Sequence, residues 1–263
     1  MSAVRFGLIA DTQYADRPCS IGRYYRNALR KTGKCMEIFR REGVDFIVHL
    51  GDIIDCPEQP REGCEAMDAV LNVMRGADIP LYFVLGNHDL ASVPYEVLCG
   101  RLGLKSGYYS FDLGGVHFIV LDSNFDVNGE RYRPENSRWD QCHVSPGELL
   151  WLAEDLKTAQ AGPAVVFVHA LLDDLVDPHV IRNAFQVRSV LENCGREVTV
   201  FQGHKHSGYE SEANGIRYHT LKAVVNGRAR YSCLIAEAGP EGVSVKEFDS
   251  SGEIKKKRNV PLP

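Results

Sequence analysis

Phe46-Ile47-Val48-His49-Leu50-Gly51-Asp52-Ile53-Ile54-Asp55 is an apolar run that breaks at a glycine and delivers two acids three residues apart. Phe46 to Leu50 read as a strand buried on both faces, since such a strand shows a continuous apolar run rather than alternation. Gly51 permits a sharp turn, so Asp52 stands just past the end of the strand. Four other stretches follow the same rule. Phe6 to Ala10 lead into Asp11-Thr12-Gln13, and Leu81 to Leu85 into Gly86-Asn87-His88-Asp89. Val165 to Val168 lead into His169, and Val198 to Phe201 into Gly203-His204-Lys205-His206. Strand ends in an α/β sheet open onto one edge. Two acids, an amide and three imidazoles therefore converge, an inventory suited to a pair of divalent cations.

Helical patterns separate these strands. One runs from about residue 22 to 41, with Tyr25, Leu29, Met36 and Phe39 apolar, and a second from about 62 to 75 carries Ala66, Val70, Leu71 and Met74 on one stripe. The βαβαβ order predicts parallel pairing with helical crossovers. Residues 107–113 and 116–121 flank Gly114-Gly115 and read as a hairpin. A long irregular loop follows from 124 to about 147, and a helix then opens at Pro146 and runs to about Ala159. Residues 216–223, 231–237 and 243–248 read as antiparallel strands. With no linker or repeat, one domain over 1–263 is expected, with 216–263 as its β-rich end. The fold class is α/β, two mixed β-sheets packed together with helices outside.

The 263 residues carry 44% hydrophobic and 25% charged side chains with a net charge of -5. That balance offers no basic face for nucleic acid. There is no apolar run of membrane-spanning length and no secretory pattern, so a cytoplasmic protein without membrane or nucleic-acid partners is expected. The oligomeric state is left open. The basic run Lys255 to Arg258 reads as a solvated tail. Eight cysteines without a C-x-x-C pair read as reduced thiols. Cys56 and Cys142 stand near the strand-end clusters without a catalytic role.

Taken singly, an Asp after a strand is a helix cap or turn former, and Gly-Asn-His-Asp is a turn. The ordered set resembles the calcineurin-like metallophosphoesterase superfamily, whose signature is D-x-H, G-D-x-x-D, G-N-H-[DE], H and G-H-x-H. Gln13 departs from it, standing where most members have histidine. That D-x-Q variant, in Ile9-Ala10-Asp11-Thr12-Gln13-Tyr14-Ala15-Asp16, resembles the branch of manganese-dependent ADP-ribose/CDP-alcohol diphosphatases. The resemblance implies a four-layer sandwich and two divalent ions, Mn²⁺ foremost, with Mg²⁺, Fe²⁺ or Zn²⁺ as alternatives. Asp52 would bridge them. Asp11, Gln13 and His206 would complete one site, and Asn87, His169 and His204 the other. A metal-bridging hydroxide would attack phosphorus. His88 would face the leaving oxygen, with Asp55 orienting it. As a ligand Gln13 is a harder donor than imidazole and favours Mn²⁺ or Mg²⁺ over Zn²⁺; the other reading is that it does not ligate directly and water fills the gap.

Two regions reach toward a leaving group: Tyr14, Arg17, Arg23, Tyr24 and Arg26 after the first strand, and Arg131, Tyr132, Arg133 and Trp139 in the 124–147 loop. Arginines pair with a second phosphate and aromatics stack on a base. The same residues also suit a solvated helix face and a packed loop. Asp173, Asp174, Asp177 and His179, after His169, form a further rim. The expected reaction is hydrolysis of the pyrophosphate bond in ADP-ribose-like or CDP-alcohol-like compounds. The alternatives are a phosphodiesterase acting on cyclic nucleotides or glycerophosphodiesters, and a non-catalytic scaffold of the same fold.

Overall fold

The structure, a computed structural model, describes residues 3–55, 60–160, 162–173, 176–240, 242–250 and 254–255. Cys56, Asp174 and residues 256–258 of the basic run lie outside them. β1 (Val4–Ile9), β2 (Phe46–His49) and β3 (Leu81–Phe83) alternate with α1 (Ala28–Glu42) and α2 (Pro60–Arg75), and α3 (Asn87–Ser92) and α4 (Tyr95–Leu102) follow. Next come β4 (Tyr109–Leu113), β5 (Val116–Val120), α5 (Pro146–Thr158), β6 (Ala164–Val168), α6 (Ala184–Glu192) and β7 (Val198–Gln202). The last strands are β8 (Tyr209–Ala213), β9 (Ile216–Thr220), β10 (Cys233–Gly239), β11 (Gly242–Phe248) and β12 (Ile254–Lys255).

The strands form two six-stranded sheets, ordered β12-β11-β10-β1-β2-β3 and β4-β5-β6-β7-β9-β8. Both are mixed. β1, β2 and β3 pair in parallel while β10 joins β1 antiparallel. β5, β6, β7 and β9 pair in parallel, with β4 and β8 antiparallel at the edges. Alternation explains the continuous apolar runs. Phe6, Leu8, Phe46 and Val48 point into a core between the sheets, while Ile9 and Ile47 point outward into the core beneath the helices. Phe6 stacks on Phe46 at 5.1 Å and meets Phe118, Phe167 and Phe201 edge-on at 5.5, 5.7 and 5.8 Å. On the outer face α1 lies so close that a Cβ on Gly7 would come within 2.7 Å of the Phe39 ring. The architecture is thus two mixed sheets flanked by helices.

Three details differ from the sequence reading. α1 starts at Ala28, after a 3-10 turn over Tyr25–Asn27, because the chain before it is tied to the far end of the protein by Tyr24 N donating to Val225 O at 2.9 Å. β9 stops at Thr220 and pairs in parallel with β7, because the chain then bends back to the end of β1, where Val224 N and Val225 N each donate at 3.0 Å to Ala10 O and Asp11 O. α3, α4 and β8 were not anticipated. Among the described residues, no helix is long and apolar enough to cross a membrane.

Candidate metal centre

The backbone at the strand ends takes conformations that ordinary sequences avoid. Asp11, Gln13, Asp52 and His204 all have positive φ, at 53°, 42°, 54° and 65°. Each costs about 1–2 kcal/mol for a residue with a Cβ. The loops hold one another in place. Asp11 N donates to Gly51 O at 3.1 Å, Gln13 N to Asp52 O at 2.9 Å, and His204 N to the Asp11 Oδ2 at 3.1 Å. Gly86 lets them close up, since a Cβ there would fall 2.0 Å from Asp52 N. Asp89 ties the Asp52–Asp55 turn to α3 by accepting from Ile53 N, Ile54 N and Gly86 N at 2.8, 3.1 and 3.0 Å.

Asp52 sits at the centre. Its Oδ1 lies 3.3 Å from His169 Nε2 and accepts from His88 N at 2.9 Å, while its Oδ2 accepts from Gln13 Nε2 at 3.0 Å. Asn87 Oδ1 is 3.1 Å from His169 Nε2, and His206 Nε2 is 3.5 Å from Asp11 Oδ1. Donor atoms of Asp52, His169 and His204 all lie within 4.8 Å of one another. Three oxygen atoms orient the three imidazoles. His169 Nδ1 donates to Leu50 O at 2.8 Å, His204 Nε2 to Trp139 O at 2.9 Å, and His206 Nδ1 to Asn226 Oδ1 at 3.2 Å. A ring that donates through one nitrogen leaves the other as a lone pair for a metal. Beside this group, His88 Nδ1 lies 2.6 Å from Asp55 Oδ1, and its Nε2 is 3.9 Å from Asp52 Oδ2.

Burial makes these charges depend on one another. It raises Asp11 to about 7, helped by the charge of Asp52. Burial also pushes Asp52 up, but His169 and His88 outweigh it and hold that carboxyl well below its usual value. The reciprocal effect lifts His169 to about 9 against its own desolvation. Desolvation dominates at the other two imidazoles: His204 falls well below its usual value and His206 falls to about 4, each with a nearby cationic group adding. Asp11 Oδ1 and Gln13 Oε1 are buried and have no hydrogen-bond partner among the described residues. Orphaned buried oxygens are costly, and two of them beside an ionised Asp52 form an oxygen-rich set that suits a hard divalent cation. Such an ion would also replace the imidazolium of His169 as the balancing charge and would leave that ring neutral. The residues present therefore fit the metal.

The chain matches the family model of calcineurin-like phosphoesterases over residues 4–208. It belongs to that family. Relatives include a manganese-dependent ADP-ribose/CDP-alcohol diphosphatase from Arabidopsis thaliana, 28% identical over 84% of this chain and 86% of its own length. The protein of that name from Oryza sativa subsp. japonica is 26% identical over 84% of this chain and 83% of its own length. The human serine/threonine-protein phosphatase CPPED1 is 32% identical over 69% of this chain and 58% of its own length. The fold is shared with a dimetal phosphatase from Danio rerio, with a TM-score of 0.79, 22% identity, and coverage of 96% of this chain and all of that one. The protein is a metal-dependent phosphohydrolase.

Around the centre of this phosphoesterase lies a cleft of about 400 Å³. Gln13, Asp52, His88, His204 and His206 line it, and so do Arg23, Trp139 and His179. The other arginines expected at the substrate are engaged elsewhere. Arg131 pairs with the fully buried Asp122, and its guanidinium is sandwiched between Tyr95 and Phe125 at 3.9 and 4.4 Å. Arg133 reaches Glu130 at 3.4 Å and Arg26 reaches Asp16 at 2.6 Å, both on the surface. Arg26, Arg131 and Arg133 are thus absent from the lining of this cleft, two of them in surface pairs and one anchoring the loop. Sequence reasoning placed Arg17 toward the leaving group but missed its hold on Asp55, and it missed the supports of two imidazoles. Arg17 pairs with Asp55 and stacks on Tyr25 at 4.0 Å; Asn226 and the Trp139 carbonyl orient two imidazoles. A backbone carbonyl carries no signal in sequence, and Arg17 is marked only by lying in the loop after β1.

Proposed function

We propose that this phosphoesterase holds two divalent ions, Mn²⁺ foremost, and hydrolyses the pyrophosphate bond of ADP-ribose-like or CDP-alcohol-like compounds. The carrying observation is the pair of buried, unpartnered oxygens of Asp11 and Gln13 beside Asp52. It supports reading the D-x-Q departure as part of the metal site, and the relatives with ADP-ribose/CDP-alcohol diphosphatase names match 84% of the chain. Asp11, Gln13, Asp52 and His206 would hold one ion, and Asp52, Asn87, His169 and His204 the other. The chemistry such ions supply is Lewis-acid stabilisation of phosphoryl oxygens and a more acidic attacking water.

The chain's own groups account for the rest. His88 presents Nε2 to the cleft and protonates or hydrogen-bonds the leaving oxygen. Asp55 holds Nδ1 at 2.6 Å and supports positive charge on the ring. Burial alone would raise the Asp55 carboxyl, but His88 and then Arg17 keep it below the usual carboxylate range, so it stays ionised for that task. Gln13 steadies Asp52 through Nε2 and offers a neutral amide oxygen to the metal. Arg23 and Trp139 border the room left for the leaving group.

The test is a rate panel on metal-stripped protein refilled with Mn²⁺, Mg²⁺ or Zn²⁺. Its substrates are ADP-ribose, CDP-choline, a cyclic nucleotide, glycerophosphocholine, an aryl phosphodiester and a phosphoserine peptide. A kcat/KM advantage for the diphosphates with Mn²⁺ is expected. Turnover confined to monophosphate diesters would keep the centre and overturn the substrate. The human phosphatase relative justifies the peptide, and activity confined to it would move the reading to protein substrates.

A further inference from the structure

The cleft contains a second anchored imidazole that the reaction described above does not use. His179 Nδ1 lies 2.6 Å from Asp177 Oδ1, and His179 N donates to the same oxygen at 2.9 Å. Lys205 holds the other oxygen of Asp177. The backbone is pinned as well, because Leu171 N donates to His179 O at 3.1 Å. The ring lies 5.0 Å from both Trp139 and His204. His88 is built on the same plan: Asp55 takes its Nδ1 on one oxygen and Arg17 on the other. Each histidine spends Nδ1 on a carboxylate that a cation also holds, and both line the cleft.

One such group suffices for a single leaving oxygen. A monophosphate diester offers nothing anionic for a second, whereas a diphosphate brings a second charged phosphate into the same cleft. With Nδ1 engaged by Asp177, Nε2 is the ring atom left to meet a phosphate oxygen in the cleft. We propose that His179, set by Asp177 and Lys205, binds the phosphate that is not attacked, and thereby selects diphosphates over monophosphate diesters. This rests on the diphosphatase reading. Trp139, in contact with His179, then lies where the base or sugar beyond that phosphate would extend.

The experiment compares wild type with His179→Gln and His179→Asn, all loaded with Mn²⁺. Imidodiphosphate and orthophosphate binding is measured by calorimetry, kcat/KM is measured on ADP-ribose and bis(p-nitrophenyl) phosphate, and Mn²⁺ content is followed. The variants are expected to keep their metal. They should weaken imidodiphosphate on the order of tenfold or more, the loss typical of a hydrogen bond to a charged group, and orthophosphate by much less. The ADP-ribose to diester ratio should fall by a similar factor. Equal weakening of both anions, no weakening of either, or loss of Mn²⁺ would overturn the proposal. A wild type that splits the diester but neither ADP-ribose nor CDP-choline would instead sink the diphosphatase reading, and the anion titrations would still report on His179.

Discussion

Gly86 shows how little room this centre allows. A methyl group there would meet Asp52 N at 2.0 Å and Asp52 Oδ1 at 2.2 Å, and neither atom can retreat while Asp52 is held at φ 54° by its neighbours. Gly86→Ala is expected to cost about 1–3 kcal/mol of stability and to release Mn²⁺ on dialysis, because the shift falls on the central carboxylate. Retention of metal at the wild-type level would show that the loop relaxes. His88 should behave in the opposite way. His88→Ala removes a group argued to face the leaving oxygen, so kcat is expected to fall on the order of 10²- to 10⁴-fold with Mn²⁺ content unchanged. If metal is lost in step with rate, His88 is a ligand. Gln13→His exchanges an amide oxygen for an imidazole and is expected to move activation from Mn²⁺ toward Zn²⁺. An unchanged activation profile would mean that Gln13 does not touch the ion.

The loop from 124 to 147 is held by a buried charge rather than by a strand or helix of its own. Asp122, two residues past β5, has no exposure, and Arg131 answers it from within the loop with its guanidinium over two aromatic rings. Removing one member of such a pair leaves the other uncompensated, at about 3–5 kcal/mol. Arg131→Ala is therefore expected to lower Tm by roughly 10 °C. A variant with wild-type Tm but a raised KM would return Arg131 to the substrate. This residue also marks the limit of sequence reading. An arginine in a long loop suits a phosphate as well as it suits a buried acid, and the choice needs Tyr95, Asp122 and Phe125 placed together. The β1, β2, β6 and β7 strands were legible because burial on both faces makes each one an almost unbroken apolar run, and β3, half-buried at an edge, was legible because Leu81-Tyr82-Phe83 is apolar throughout. β8, Tyr209-Glu-Ser-Glu-Ala213, was not, since an edge strand half open to water carries polar residues that read as loop. α3 and α4 escaped because each spans only a couple of turns, too short for a helical period to emerge.

Across the fold, the chemistry gathers at one edge because every turn that carries a proposed ligand follows a strand of one of the two sheets. The order of those turns was readable from the sequence, but their mutual contacts were not. The clasp between Val224–Val225 and the end of β1, which brings Asn226 to His206, joins segments more than two hundred residues apart. Away from that edge, near the start of β5, the protein carries a separate charge lock. His117 contacts Asp112 of β4 and Asp155 of α5, both at 2.8 Å, so it ties the second sheet to its covering helix. Burial alone would lower its pKa, but hydrogen bonds that its ring donates to Asp155 and Asp112 outweigh that and raise it above the ordinary histidine value of 6.5. A raised folded-state value means that the folded form binds the proton more tightly than the unfolded chain does. The contribution is full below about pH 6.5, the unfolded value, and fades as pH rises through the folded one. His117→Gln keeps the size and hydrogen bonding of the side chain but cannot take up the proton. The urea midpoint of wild type should exceed that of the variant at pH 6, and the gap should shrink steadily toward pH 9. A gap of constant size across that range would mean that His117 is neutral in the fold and acts only through packing and neutral hydrogen bonds.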